Sequence, residues 1–516
     1  MTEDLSRRRL FGLAGVTAAG AAGLSLAGCS KASGLGGGPT LASPMADSSA
    51  GGPPWVTRPD LTPPKISVRR SGLGGDSQYI FLNAPYSGTG HGGTIILSPG
   101  GEFVYFGPNT ATKHHMDVSV QTYKGQQMLA WWEGVLVEGF GIGEIVLADS
   151  TYTVKHRIKA VQGYPADFHE VNITPQGTAL IDIYSRHSNV DLSHYGGGPG
   201  MHLVSGMVQE IDVATGALVF KWDSWNPKNP HVPLSETHQQ FGVGDGGNGT
   251  AATPYNYFHI NSVAEVEPGN PASDLLVSGR NTWTVYRISR KTGNVVDRIG
   301  GKRSTYSMGP RTRFYWQHHV RLHPGNIMTV FDNGSSPPVE KQSRALKLHL
   351  DDARKHVTLE KQYIHPNQTY LAGAMGSAQL LPDGRMFVGW GTEPHFSEFS
   401  ADGRLLLDGD IEIGSPSYRG FSENWVGKPP LRQLAVAARH RSGGATVYAS
   451  WNGATEVKSW AVLAGRSSSN LSQVGTARKA GFETAMSVSS RGPWFAVEAR
   501  DGKGRVLGRS KTVKIG

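Results

Sequence analysis

The sequence predicts an all-β protein: a six-bladed β-propeller followed by a small fibronectin/immunoglobulin-like β-sandwich. Three observations carry that expectation. Gly is frequent, at 68 of 516 residues, and charged residues make up only 18%, which suits short strands and tight turns better than helices. Helical periodicity is scarce after residue 30, whereas alternating apolar runs broken by Gly, Pro, Asn and Asp recur throughout. Hairpins of two kinds then repeat at a near-constant spacing.

Taken in order, the chain opens with an address. Ser6-Arg7-Arg8-Arg9-Leu10-Phe11 resembles a twin-arginine export signal, and the Ala/Gly-rich stretch 12–27 is too short and weakly apolar for a membrane span. Leu26-Ala27-Gly28-Cys29 resembles a bacterial lipobox, which would give the only cysteine a lipid. Residues 1–29 are therefore expected to be a twin-arginine lipoprotein signal. Residues 30–60 read as a Gly/Ser/Pro-rich tether. The expected location is the outer side of the cytoplasmic membrane. One cysteine also excludes an internal disulfide framework and any Cys-rich metal site.

Strands begin at 65–69, 79–82, 94–97 and 103–106. Hairpins then align on their turns. Phe168-His169 leads to Pro175-Gln-Gly177, Phe258-His259 to Pro268-Gly269, Gln317-His318 to Pro324-Gly325, and Gly376-Ser377 to Pro382-Asp-Gly384. A looser copy runs from Asp117 through Lys124-Gly125. Between them lies a second hairpin type, turning at Asp212–Gly216, Ser289–Gly293 and Ser400–Gly403. Two hairpins per unit make four strands per unit. His259 to His318 is 59 positions and Pro324 to Pro382 is 58, a propeller-like period. His169 to His259 is 90, which leaves room for an insertion near 226–256 forming a lid or rim. The propeller is assigned to 61–425, with six blades fitting best and five or seven left open. After Lys428-Pro429-Pro430 a fresh strand pattern fills 426–516, with Trp451 and Trp460 available for a sandwich core. That module is read as structural or surface-binding.

The net charge of +9 comes from scattered Lys and Arg without a dense basic run. Nucleic acid is not expected as a partner, and small anions are. In a propeller the first strand of each blade lines the central channel, so His169, His259 and His318, at equivalent repeat positions, converge on one space. Three chemistries use such a cluster. Three imidazoles could hold zinc, although the sequence shows neither paired ligand spacing nor an acidic second shell. A quinone-dependent dehydrogenase would want acidic calcium ligands. A nucleophilic histidine would want cationic and amide groups for an oxyanion, and Asn261 and Arg280 supply those.

The ordered motifs His259-Ile-Asn261-Ser262, Ser278-Gly-Arg280, Gln317-His318, Phe331-Asp-Asn-Gly334, Ser343-Arg344 and Gly389-Trp-Gly391 resemble the arylsulfotransferase family. The resemblance covers about residues 60 to 425 and is specific as a combination. It implies an exported six-bladed propeller that moves a sulfuryl group from a phenolic sulfate ester to a phenol, without a nucleotide donor, cofactor or metal. His318 matches the family's nucleophile, which forms a sulfohistidine in a ping-pong cycle. His259, Asn261, Arg280 and His169 match the other site residues. Tyr257, Phe258 and Trp316 are expected to stack the aryl ring and keep water out. Partners are then a small phenolic sulfate, a phenol, and a membrane through Cys29, with a homo-oligomer left open. His319 doubles the histidine, so either of the pair could face the axis. The alternatives are a non-catalytic, lipid-anchored propeller that binds a ligand or wall polymer, and a metal-dependent sulfatase or hydrolase.

Overall fold

The computed structural model describes residues 46–47, 54–71, 78–85, 90–137 and 139–515. The signal segment, Cys29 and most of the tether lie outside the described residues. Among those described, the chain is all-β, with five short 3-10 turns as its only helical segments and none long and apolar enough to cross a membrane.

Among the described residues six sheets precede residue 425, antiparallel except for two short parallel pairings, at Leu203 and Val204 with Tyr255–Asn256 and at Ser307–Met308 with His356 and Val357. Four take their core strands from one continuous stretch. The first of these is built from His114–Tyr123, Gln126–Val137, Phe140–Ala148 and Val154–Ile158. The second contains Asn172–Ile173, Thr178–Val190, Met201–Asp212 and Leu218–Asp223. The third contains Ile260–Glu265, Leu275–Gly279, Thr284–Ile288 and Val295–Gly300. The fourth contains His318–His323, Ile327–Asp332, Arg344–Asp351 and His356–Tyr363. The other two join distant parts of the chain. Gly420–Glu423 pairs with Tyr79–Ala84, and Ile66–Arg70 pairs with Leu405–Ile411. The expected hairpins are present, because Gly at left-handed φ closes their turns, as at Gly177, Gly325 and Gly384. The many sheets are compatible with a propeller.

Between sheets the core is aromatic and aliphatic. Trp132, Trp222, Trp316 and Trp390 are among its largest fully buried side chains. Each buried ring of this size removes 150–250 Å2 from water, on the order of several kcal/mol.

From Leu434 onward the chain forms two further sheets. One holds Leu434–Arg441, Gly444–Trp451 and Glu483–Val488; the other holds Asn470–Arg478, Ser459–Ser467, Trp494–Arg500 and Val506–Arg509, with Val513–Lys514 alongside. Trp451, Trp460, Val462, Phe495 and Val497 share a core of their own between them. The strand Asn470–Arg478 was not expected from sequence. It is an edge strand with one face exposed and the other only half-buried, carrying Leu471, Gly475 and Ala477, so its apolar alternation is weak. Earlier segments pack on these sheets: Trp55 stacks on Phe482 at 3.8 Å, and Asn452 exchanges hydrogen bonds with the backbone of Phe106.

Candidate active site

The three histidines stand at one end of the first strands of successive sheets. His318 begins His318–His323, His259 directly precedes Ile260–Glu265, and His169 lies three residues before Asn172–Ile173. The backbone there is irregular. Bulges interrupt the pairing between His318 and Arg321 and between Ile260 and Ser262, and His259, Trp316, His319 and Met375 all have φ between +49 and +65. Left-handed backbone in non-glycine residues is costly and is retained where tertiary contacts hold it, often at functional sites.

His318 is 1% exposed. Its Nδ1 lies 2.7 Å from Asn333 Oδ1, and the Asn333 amide nitrogen donates to the carbonyls of Ala372 and Met375. Asn333 Oδ1 is therefore an acceptor, and His318 carries its proton on Nδ1. The Met375 N–H donates to Nε2 at 3.2 Å, so that nitrogen keeps its lone pair. Burial first, and Arg280 second, push the His318 pKa well below the ordinary value. The ring is held neutral, in one tautomer, with the Nε2 lone pair unprotonated.

The motifs seen in sequence brace this arrangement. Gln317 Nε2 donates to Ser278 Oγ and the Gly279 carbonyl, which ties the histidine strand to the turn that carries Arg280. Asp332 takes the Tyr315 N–H and pairs with Arg344, while Ser343 Oγ donates to the Asn333 carbonyl and accepts the Ala372 N–H. Asn261 Nδ2 donates to the Gln317 carbonyl at 2.6 Å. Strand alternation would put Asn261 on the same side as His259, but the bulge at Ile260/Ser262 removes that regularity. Asn261 instead fixes the peptide before His318 and leaves its Oδ1 buried without a partner among the described residues.

Arg280, 4% exposed, opens a 3-10 turn directly after Leu275–Gly279. It lies over the Trp316 ring at 5.0 Å and donates to Asp245 Oδ2, Asn281 Oδ1 and the Gly373 carbonyl, each at 2.9 Å. Its Nε is buried with no partner among the described residues. Asp245 Oδ2 also lies 3.0 Å from His259 Nδ1. Burial is the largest influence on the Asp245 pKa and raises it, but Arg280 and His259 together outweigh burial and hold the carboxyl well below its usual range. Burial brings His259 down to about 4 despite Asp245.

The His169 ring meets that of His259 edge to face at 5.2 Å, and its Nδ1 is in close contact with Asp167 Oδ1. Asp167, His169 and Asp182 present ligand atoms within 4.8 Å of one another, all buried. Asp182 Oδ2 has no hydrogen-bond partner among the described residues, and burial raises the pKa of this carboxyl well above its ordinary value. The acidic surroundings that the sequence did not reveal are thus present around His169. Beside the histidines, Arg419 pairs with Asp117 and Glu170 and donates to the Asn261 carbonyl, and Glu170 also pairs with Arg321.

The structure brings together His318, His259, His169, Arg280, Asn261 and Trp316. Tyr257 and Phe258 go elsewhere: both are fully buried in the apolar core beside Trp222 and Tyr286, and the Tyr257 hydroxyl donates to Ser224 and Val232. Both consecutive rings turn into the core, and sequence does not separate a packing ring from a substrate ring. His319 takes the Ala378 N–H on its Nδ1 and meets Phe421 at 5.5 Å, toward the neighbouring sheet and away from Arg280. Asp245, Asn333, Asp167 and Arg419 were not expected at the site from sequence. Asp245 comes from the insertion, in a Gly-rich segment without period or motif. Asn333 lies in the Phe331-Asp-Asn-Gly334 motif that carries the family resemblance, but the motif alone did not single it out as a site residue.

A model of the arylsulfotransferase (ASST) family matches residues 119–412, more than half of the chain. The chain belongs to the arylsulfotransferase family. The matched segment contains every histidine of the site, Asn261, Arg280, Asn333 and Asp245. No curated protein matches the chain significantly. Among solved structures, a Bacteroides caccae protein of unknown function is 11% identical, covering 68% of this chain and 100% of its own, with a TM-score of 0.39. Apo AztD from Citrobacter koseri is 8% identical, covering 68% and 99%, at 0.33. An inactive virginiamycin B lyase from Staphylococcus aureus, solved with quinupristin, is 9% identical, covering 66% and 82%, at 0.30. Likenesses this distant add nothing about the arylsulfotransferase site.

Proposed function

We propose that this arylsulfotransferase carries a sulfuryl group from a phenolic sulfate ester to a phenol on His318, within a closed six-bladed propeller. The observation that carries the reading is the fixed neutral His318, with Nδ1–H on Asn333 and the Nε2 lone pair free of a proton. Nε2 attacks sulfur, the bond from sulfur to the aryl oxygen breaks, and the phenolate leaves. Arg280, whose Nε lacks a partner among the described residues, and His259 supply donors for the sulfuryl oxygens. His169, held by Asp167, gives the leaving oxygen its proton and takes one back from the acceptor phenol. The acceptor oxygen then attacks the sulfohistidine sulfur, the N–S bond breaks, and His318 returns neutral. Trp316 beneath Arg280 lines the aryl side. In the resting site Asp245 and the Gly373–Met375 backbone occupy Arg280, His259 and His318, so substrate entry requires these segments to give way.

Six sheets, with Gly420–Glu423 and Ile66–Arg70 each joining the two ends of the repeat region, support the closed six-bladed reading. The sandwich at 426–516 is read as a separate module. Export by the twin-arginine route and a lipid on Cys29 remain part of the proposal. The deciding test is 4-nitrophenyl sulfate with and without phenol. Nitrophenolate release that depends on the acceptor, and is abolished in His318→Ala, supports the transferase; silence with several aryl sulfates supports a binding protein. A second reading, a metal-dependent sulfatase, is favoured by the Asp167, His169 and Asp182 grouping. Activity lost to a chelator and restored by a divalent metal would select it.

A further inference from the structure

Charge is divided unequally along the chain. Residues 434–516 hold 13 of the 50 basic residues but only 4 of the 41 acidic ones, which leaves 37 of each in the preceding 433. The whole net charge of +9 therefore belongs to the two C-terminal sheets. No local run reveals this, because the cations are dispersed over both the strands and the turns between them.

Strand register gathers part of that charge on one face. In the larger C-terminal sheet Ser459 stands opposite both Arg478 and Arg500, Glu498 opposite Arg509, and Trp494 opposite Lys514. Residues two apart on a strand, and direct cross-strand partners, share a face. Arg478, Arg500, Arg509, Lys514 and Trp494 thus lie together. The opposite face of the same strands supplies Trp460, Val462, Phe495 and Val497 to the core, so the basic face points away from it. Glu498 is the one acid in these rows and is paired with Arg500. Arg478, Arg509 and Lys514 are exposed and form no ion pair among the described residues.

We propose that this face docks on an anionic phospholipid surface. A sheet face with unpaired cations at Arg478, Arg509 and Lys514 and a half-buried indole matches the headgroup layer, where charge attraction and an interfacial Trp act together. Trp494 is the one aromatic side chain in these rows, too few to stack a run of bases, which disfavours single-stranded nucleic acid. The inference stands apart from the chemistry at His318 and from any lipid on Cys29.

The test uses the chain from Ser30 onward, without lipid, and co-sedimentation with phosphatidylcholine vesicles with or without phosphatidylglycerol. The expected result is binding only to the anionic vesicles, weakening as salt rises. Each basic residue near such a surface contributes about fivefold, so R478E/R509E should bind at least about 25-fold more weakly. R439E/R441E changes net charge equally on the other sheet and should bind much more nearly like the parent. Circular dichroism and thermal melts verify that both variants fold. Equal binding to neutral vesicles, equal loss in the two variants, or full competition by short RNA at lower concentration than by phosphatidylglycerol vesicles would each overturn the assignment.

Discussion

Asn333 offers the sharpest perturbation of the proposed chemistry. It is a positioning residue: its Oδ1 takes the His318 Nδ1–H at 2.7 Å in a site where His318 is 1% exposed. Asn333→Ala leaves that donor buried and unpaired, which costs about 1–3 kcal/mol. If the loss falls on the competent tautomer, kcat for nitrophenolate release falls about 5- to 150-fold. The amide also holds the Ala372 and Met375 carbonyls, so a thermal melt must accompany the kinetics. Asn333→Asp keeps the shape and separates the two roles. A carboxylate there stabilises the imidazolium and moves the acid limb of the pH–rate profile upward. Stopped-flow release of nitrophenolate across pH reads both effects. If Asn333→Ala stays within about threefold of the parent and Asn333→Asp leaves the acid limb unmoved, tautomer control by Asn333 is wrong.

Two predictions concern stability. Burial holds His259 at about 4, below its ordinary 6.5, so as pH falls through that window the unfolded chain takes up a proton that the folded chain refuses. Stability is intact above pH 6.5 and drops by about 2 kcal/mol between pH 7.5 and 5 from His259 alone, with His318 and His319 shifted the same way and adding to it. Urea midpoints at the two pH values check this, and a flat response contradicts it. Arg419→Met leaves Asp117 and Glu170 short of a buried cation and should destabilise the fold by about 3–5 kcal/mol in urea titration. Unchanged stability would show that Arg321 alone suffices for Glu170 and that Asp117 is simply protonated.

Much of the fold was legible because turn chemistry is local. Pro-Gly and Asp-Gly pairs marked the hairpins, and near-equal spacing from His259 to His318 and from Pro324 to Pro382 exposed the repeat. The pairings of Gly420–Glu423 with Tyr79–Ala84 and of Ile66–Arg70 with Leu405–Ile411 were not, since partners over 300 residues apart leave no local trace. At the site, motif and repeat position pointed to His318, His259, His169, Arg280 and Trp316, which the structure brings together. Asp245 was out of reach: it arrives from an insertion whose only feature is glycine. Tyr257 and Phe258 were assigned to substrate although they pack, because an aromatic side chain beside a histidine looks the same in either role. The C-terminal charge excess leaves no local signature, because its cations are dispersed over strands and turns.

The central claim is covalent transfer through His318, and the most direct measurement is intact mass after mixing the enzyme with 4-nitrophenyl sulfate in the absence of acceptor. The account predicts a gain of one sulfuryl group that maps to the peptide carrying His318, disappears on adding phenol, and is absent from His318→Ala. Turnover that proceeds with no such adduct, or with the group on a hydroxyl side chain, would contradict it.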